Sequence, residues 1–270
     1  MNKTVKKLSQ LCILLITSSL HANLIELRIK ESDLKNTNTV TADDVSNVLK
    51  RKHKMRDHIA TIILPDSIQV IGEGAFAACN NLKSISFHNV QFIEDRAFWY
   101  CSQLSCIDLP RAQAIGESAF AFCQALSDAQ LPSAQCLNKF AFLHSALKYI
   151  ELPNVVSIGG GCFAYCPLNS IDLPKVRSIE DHAFWSCASL NRIALPSIQS
   201  MGGAAFAHCK HLQHVEMPSI QSIGTQVFWG CSELNSIELP STALKNQNKS
   251  TLLKQLWAPS NCKIILLKKE

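Results

Sequence analysis

The sequence predicts an α/β-type repeat solenoid: a horseshoe of stacked coils with short parallel β-strands on its concave face and a cap at each end. Three observations carry this. A unit of 21–23 residues recurs from about Ile59 to Leu239. Each unit contains an alternating apolar–polar stretch that runs into Leu-Pro, and then a small residue and Phe followed three residues later by Cys. A unit this short cannot bury its own apolar side, so it is stable only when stacked on copies of itself.

The template reads L-x-x-I-x-L-P-x-V-x-x-I-G-x-x-A-F-x-x-C. Leu-Pro falls at Leu64-Pro65, Leu109-Pro110, Leu131-Pro132, Leu152-Pro153, Leu173-Pro174, Leu195-Pro196 and Leu239-Pro240, with Met217-Pro218 a variant and Phe87-His88 lacking the proline. The phenylalanine column is Phe76, Phe98, Phe120, Phe142, Phe163, Phe184, Phe206 and Phe228. The segment S-I-D-L alternates, so it reads as a strand with Ile171 and Leu173 facing inward. Successive strands then pair in parallel about 4.8 Å apart. Proline has no N–H for the ladder and is expected to end each strand. The I-G step is expected to turn the chain. Glu94, Asn138 and Glu180 replace its glycine, so positive φ is not required there.

The L-x-x-I-x-L-P strand and the I-G-x-x-A-F-x-x-C that follows, over about residues 59–240, resemble the BspA-like, Treponema-type leucine-rich repeat. The resemblance implies an exported or cell-surface protein of a bacterium or protist parasite, with adhesion to host proteins as the associated role. No shared ligand-contact residues come with it.

Outside the repeats the chain divides into a secretory signal over residues 1–22, an N-terminal cap over 23–58 and a C-terminal cap over 241–270, around a solenoid of about eight repeats over 59–240. Lys3, Lys6 and Lys7 precede an apolar run, Leu11–Leu20, that is too short to span a membrane. Cleavage fits after Ala22; the competing reading keeps the segment as an apolar helix of the cap. Cys12 stands at the start of the apolar run, not after it, which argues against a lipoprotein. Leu24–Ile29 reads as a strand. Thr41-Ala42-Asp43-Asp44 opens a helix that puts Val45, Val48 and Leu49 on one face. This helix runs into the basic stretch Lys50–Arg56, the one place where membrane contact is expected. The plainer reading is cations opposing the helix macrodipole. Leu252–Trp257 and Lys263–Leu267 read as a short helix and a closing strand.

The net charge of +5 sits in the ends. Residues 60–240 hold nine Lys/Arg against fourteen Asp/Glu, which disfavours nucleic acid as a partner of the solenoid. Of the twelve cysteines, Cys79, Cys101, Cys123, Cys166, Cys187, Cys209 and Cys231 share one column, broken by Ser145. Side chains stacked in parallel do not face one another as a disulfide requires. These thiols, with Cys162, are expected to act as small buried hydrophobes. Cys106 lies at an outward strand position and is expected to be the thiol that reacts with solvent reagents.

The outward strand positions supply the candidate site: Asp108, Asp128, Tyr149, Glu151, Asp172, Arg192, His214, Glu216 and Glu238. The residues just before each Leu form an acidic stripe, with Glu151 opposite Asp172 and Glu216 opposite Glu238. Like charges in register are unfavourable, and keeping them suits a basic partner or a cation; a solvated edge that keeps the sheet soluble is the competing reading. Trp99, Tyr100, Phe122, Tyr165, Trp185 and Trp229 form a second candidate surface. Their alternation with alanine favours coil-on-coil packing. His208-Cys209-Lys210-His211-Leu212-Gln213-His214 invites a metal reading, but the repeat sends its side chains to different faces instead of one tetrahedral site. No catalytic or phosphate-binding motif is present, and no cofactor or small-molecule substrate is expected. The expected function is non-catalytic protein binding by an exported chain at the cell surface, secreted or in the periplasm, with host extracellular-matrix proteins among the implied partners. The alternative is a self-associating structural protein of the cell envelope.

Overall fold

The structure, a computed structural model, describes residues 24–244 and 248–267. The expected signal and Cys12 lie outside these residues. The chain opens with strand β1 (Ile25–Arg28), β2 (Thr39–Val40), helix α1 (Ala42–Arg51) and β3 (Ile59–Ile63). Helix α1 begins at the expected capping box. The Asp44 N–H donates to Thr41 Oγ1 at 3.2 Å, and the Thr41 N–H returns a bond to the buried Asp44 carboxylate at 3.0 Å. Past the helix end at Arg51 and its cap Lys52, the chain turns away through His53 in the left-handed region, φ 51°. There the His53 and Lys54 amides donate to the carbonyls of Lys50 and Leu49 at 3.1 and 3.0 Å, which satisfies these two carbonyls with backbone alone.

Each coil then contributes two strands. The longer ones are β5 (Ser84–Ser86), β7 (Cys106–Asp108), β9 (Asp128–Gln130), β11 (Tyr149–Glu151), β13 (Ser170–Asp172), β15 (Arg192–Ala194), β17 (His214–Glu216) and β19 (Ser236–Pro240). They are the strands expected before Leu-Pro. Between them lie pairs at the I-G step: β4 (Val70–Ile71), β6 (Phe92–Ile93), β8 (Ala114–Ile115), β10 (Cys136–Leu137), β12 (Ser157–Ile158), β14 (Ser178–Ile179), β16 (Ser200–Met201) and β18 (Ser222–Ile223). Sequence reading took this step as a turn. It instead forms, with β2, an unbroken nine-stranded parallel sheet along the stack. After the coils come helix α2 (Lys249–Leu256) and strand β20 (Lys263–Leu267), which pairs with β19. The longer strand stops before Leu-Pro or Met-Pro in the other coils that carry the proline, and β5 stops at the same place without one, but β19 continues through Pro240, which is in register with Leu267 of β20.

The ladder of longer strands, unlike the nine-stranded sheet, is interrupted. It consists of β1 with β3, then β5 to β13, then β15 to β20. The first break spans the long 23-residue interval from Leu64 to Phe87. Both 21-residue intervals, Leu131 to Leu152 and Leu152 to Leu173, lie within the middle ladder, and the second break spans an ordinary 22-residue interval, Leu173 to Leu195, so repeat length alone does not place it.

The core is built from columns. All eight column phenylalanines are fully buried, and adjacent rings stack at centroid separations of 5.0–6.1 Å. Either side of each Phe the chain turns a corner through two left-handed residues, for example Arg96 and Tyr100 around Phe98, φ 53° and 59°. Their amides and that of Phe98 donate to Glu117, Ala121 and Ala119 in the next coil at 2.8–2.9 Å, a third ladder between coils. Most of these corner residues are not glycine, although left-handed geometry costs a residue with Cβ about 1–2 kcal/mol. At Gly161, φ 61°, a side chain would also need the half-exposed Phe140 ring to move. A Cβ there would stand 2.5 Å from Cδ1 of Phe140 in the coil before.

The two ends of the stack are closed by opposite chemistry. The first coil lacks a preceding coil to donate to its corner carbonyls. Arg56 replaces it: Nη1 donates to Ala75 O at 2.6 Å and lies 3.3 and 3.4 Å from Ala77 O and Gly74 O. The last coil lacks a following coil to accept its corner amides. Gln226 and Phe228 donate instead to Gln255 O and Leu256 O, carbonyls that the end of α2 leaves free, at 3.0 and 2.9 Å.

Candidate functional site

The outward residues of the longer strands form two rows in register. In the first sheet, Ser86, Asp108, Gln130, Glu151 and Asp172 lie side by side across β5 to β13. In the second, Ala194, Glu216, Glu238 and Ile265 continue this row, while Arg192, His214, Ser236 and Lys263 form the parallel one. The sequence-predicted residues are thus all on one face. The gap between β13 and β15 separates Asp108, Asp128, Tyr149, Glu151 and Asp172 from Arg192, His214, Glu216 and Glu238.

Most of the carboxylates on this face are engaged locally. Ser86 Oγ donates to Asp108 at 3.1 Å, Gln130 Nε2 to Asp128 at 3.0 Å, and Tyr149 OH to Glu151 at 3.0 Å. Burial, and then the bond to Glu151 and the charges of Glu151 and Asp172, push the Tyr149 phenol above its usual range. Arg192 forms an ion pair with Glu216 across one strand interval. His214 Nδ1 lies 2.8 Å from Ser236 Oγ. Asp172 and Glu238 make no side-chain hydrogen bond or ion pair with another described residue. The like-charge pairs expected from sequence are in register, but Glu216 is paired with the cation Arg192 and Glu151 accepts a hydrogen bond from the neutral Tyr149 phenol.

Cys106 does not behave as expected. Its side chain is in an outward row but is buried, 8% exposed. It is a short side chain flanked in register by Ser84 and Asp128. The half-buried thiol is Cys136, at the start of β10, 3.3 Å from both Asn138 Oδ1 and Ser157 Oγ. The seven column thiols and Cys162 are buried. The column does more than fill space: Cys101, Cys123, Cys166, Cys187, Cys209 and Cys231 each donate to the carbonyl of the Phe one coil earlier, at 3.0–3.2 Å. Burial pushes Cys123 and Cys231 up to about 12 and Cys166 up to about 11.

The aromatic residues form a ladder at the corners. Tyr100, Phe122, His144 and Tyr165 lie in consecutive coils with centroids 6.2, 5.4 and 4.4 Å apart. Further along, Trp185 and Trp229 meet at 5.8 Å over the fully buried Ala207. The large–small alternation is therefore coil-on-coil packing, although Tyr165 remains 49% exposed and Trp229 40%. The histidine cluster is dispersed. His208 packs on Trp185 and Trp229, Cys209 is in the thiol column, His211 reaches Glu233 and His214 reaches Ser236.

Sequence reading missed an acidic row beside the nine-stranded sheet. Glu94, Asp95, Glu180 and Asp181 accept backbone N–H bonds from Glu73, Glu117, Gly160 and Gly203 in adjacent coils at 2.6–3.0 Å. Asp95, Glu117 and Glu180 also line a groove of about 280 Å³ with Cys136, Asn138 and Lys139. The signal was present as acids at and after the glycine of I-G. Because these acids tie coil to coil, the row reads as structural.

The chain's sequence matches the BspA type leucine rich repeat region over residues 53–167 and 156–265. No curated protein matches it. Among solved structures it is similar to a leucine rich cell surface protein of Faecalibacterium prausnitzii, at 19% identity over 92% of this chain and 89% of the other, TM-score 0.40. It is similar also to a leucine-rich repeat protein of Bacteroides ovatus, at 20% identity over 90% and 84%, TM-score 0.37. A third is the T. pallidum leucine rich repeat protein, at 22% identity over 90% and 88%, TM-score 0.43. With the repeat matched from residue 53 to residue 265 and its columns stacked coil on coil, the chain belongs to the BspA-type leucine-rich repeat family.

Proposed function

We propose that this chain is an exported, non-catalytic protein-binding protein that docks its partner on the face of the longer strands. Repeats of this family are typically non-catalytic binding modules, and leucine-rich repeat domains generally bind proteins. The observation that carries the choice of face is its construction. Polar side chains of mixed sign stand in register on hydrogen-bonded strands, held by local bonds such as Tyr149 to Glu151 and Arg192 to Glu216. Side chains held in this way lose little freedom on binding, so contacts with a partner are not offset by ordering them. Asp172 and Glu238 provide charge for a basic partner. The division into a signal over residues 1–22, caps over 23–58 and 241–270 and a solenoid over 59–240 belongs to the same proposal, as does location at the cell surface, secreted or in the periplasm.

The test has two parts. Protease treatment of intact cells asks where the protein is; loss of the protein is expected, and protection confines it within the envelope. Retention of host matrix proteins on the immobilised chain is then compared with retention on Glu151→Lys/Asp172→Lys. Retention that falls at least tenfold, with an unchanged melting temperature, is the expected result. Equal retention by both chains sinks the strand-face assignment. The second reading, self-association in the envelope, draws on the half-exposed corner rings such as Trp99 and Tyr165. Sedimentation that finds only monomer at tens of micromolar removes it.

A further inference from the structure

We propose that the N-terminal end of the solenoid is a docking surface for an anionic lipid bilayer, formed by Lys50, Lys52, Lys54 and Met55. Three observations converge on this end. The first concerns the lysines. As cations at a helix C-terminus they need no explanation beyond the macrodipole, but the carbonyls of Val48, Leu49 and Lys50 are already satisfied by the amides of Lys52, His53 and Lys54. Arg51 is held by Asp33 at 2.6 Å, and Arg56 by the carbonyls of the first coil. The side chains of Lys50, Lys52 and Lys54 make no hydrogen bond or ion pair with another described residue, although the Lys50 charge is felt by Asp43, and the first two lysines are exposed. The nearby acids Asp43 and Asp57 are engaged by Lys35 and Asn80.

The second observation is Met55. It is 70% exposed, more than any other large hydrophobic residue described, and follows directly on Lys54. A polyanion in water gives an unbranched apolar side chain no reason to be there. A bilayer surface does, because the ammonium groups reach the headgroups while the thioether enters the acyl boundary. The third is position: the basic turn stands at the end of the stack where Arg56 closes the first coil, and the net-acidic solenoid, residues 60–240, extends away from it. This surface is separate from the strand face and does not depend on it.

The test is binding of the full chain to phosphatidylcholine vesicles with and without phosphatidylglycerol, at low salt. An ammonium close to an anionic surface contributes about a fivefold factor, so Lys50→Gln/Lys52→Gln/Lys54→Gln is expected to lower partitioning onto anionic vesicles by about 100-fold. Met55→Ser is expected to lower it several-fold further. The same charge change at Lys83, Lys148 and Lys210, all exposed in the solenoid, is expected to have no effect and controls for net charge. Binding of the triple variant equal to that of the parent chain overturns the proposal, because these ammonium groups then contribute nothing to adsorption. Full competition by soluble heparin, with Met55→Ser unchanged, overturns it in favour of a polyanion.

Discussion

Replacing Arg56 with glutamine should unravel the stack from one end. The guanidinium makes one short bond, 2.6 Å to Ala75 O, and two long ones to Ala77 O and Gly74 O. Ala75 is fully buried. A hydrogen bond from a charged donor contributes about 1.5–3 kcal/mol, and the two long contacts add little, so the loss is about 2–3 kcal/mol. For a chain of this size that lowers Tm by about 5–10 °C. Coils touch only their neighbours, so the effect should also be local. Hydrogen exchange should accelerate at Phe76 and Ala78, whose amides bond Ala97 O and Trp99 O, and stay unchanged at Phe206 and beyond. Arg56→Lys, which keeps one donor on the short bond, should fall between. An unchanged Tm together with unchanged exchange in the first coil would refute the reasoning, because it would mean that water serves those carbonyls equally well.

Two further outcomes follow from the columns and corners. The folded thiols of Cys123, Cys166 and Cys231 titrate at about 12, 11 and 12, above the value of about 8.5 in the unfolded chain. Their contribution to stability is therefore complete below about pH 8.5 and is lost as pH rises toward 11–12, at about 1.4 kcal/mol per pH unit for each thiol. Denaturant melts from pH 9 to 11 should show this slope and a shallower one in Cys166→Ser; equal slopes would remove the thiols as the cause. At the corners, Gly161→Ala adds both left-handed strain and contact with the Phe140 ring and should cost about 1–3 kcal/mol. Ser118→Gly, at φ 55°, relieves strain and should raise stability by about 0.5–1 kcal/mol. Urea midpoints that move the other way would contradict this account of the corners.

The coil, the inward strand residues, the phenylalanine column and helix α1 were legible because each follows from a period or a cap. The nine-stranded sheet was not. Its strands are two residues long, as at Ser178–Ile179, and so short a run has no alternation to detect. The left-handed corners were hidden because residues such as Arg96, Tyr100 and His208 occupy them without glycine or asparagine. The thiol-to-carbonyl bonds were missed because a cysteine column in a core reads as apolar filling, and a donor shows only once the Phe carbonyl of the previous coil is in place. On the strand face, sequence placed every named residue in its row, but burial of Cys106 depended on the reach of its neighbours. The hydrogen bond from Tyr149 to Glu151 and the ion pair of Arg192 with Glu216 depended on rotamers.

The gap between β13 and β15 gives the molecule a mechanical character. On that side nothing bonds Asp172 to Arg192 or Ala194, while β14 and β16 remain paired through Ser178 with Ser200 and Ile179 with Met201. From β5 to β20 the stack is thus two stiff plates on one continuous spine, with the short β1–β3 pair a third piece at the N-terminal end. Tension along the axis is carried by the spine and the phenylalanine column. A bending load finds its softest point at the gap, where the strand side can open or close without breaking a ladder bond. An object lying across both plates would feel a compliance absent from either plate alone, and its grip would depend on the angle between them.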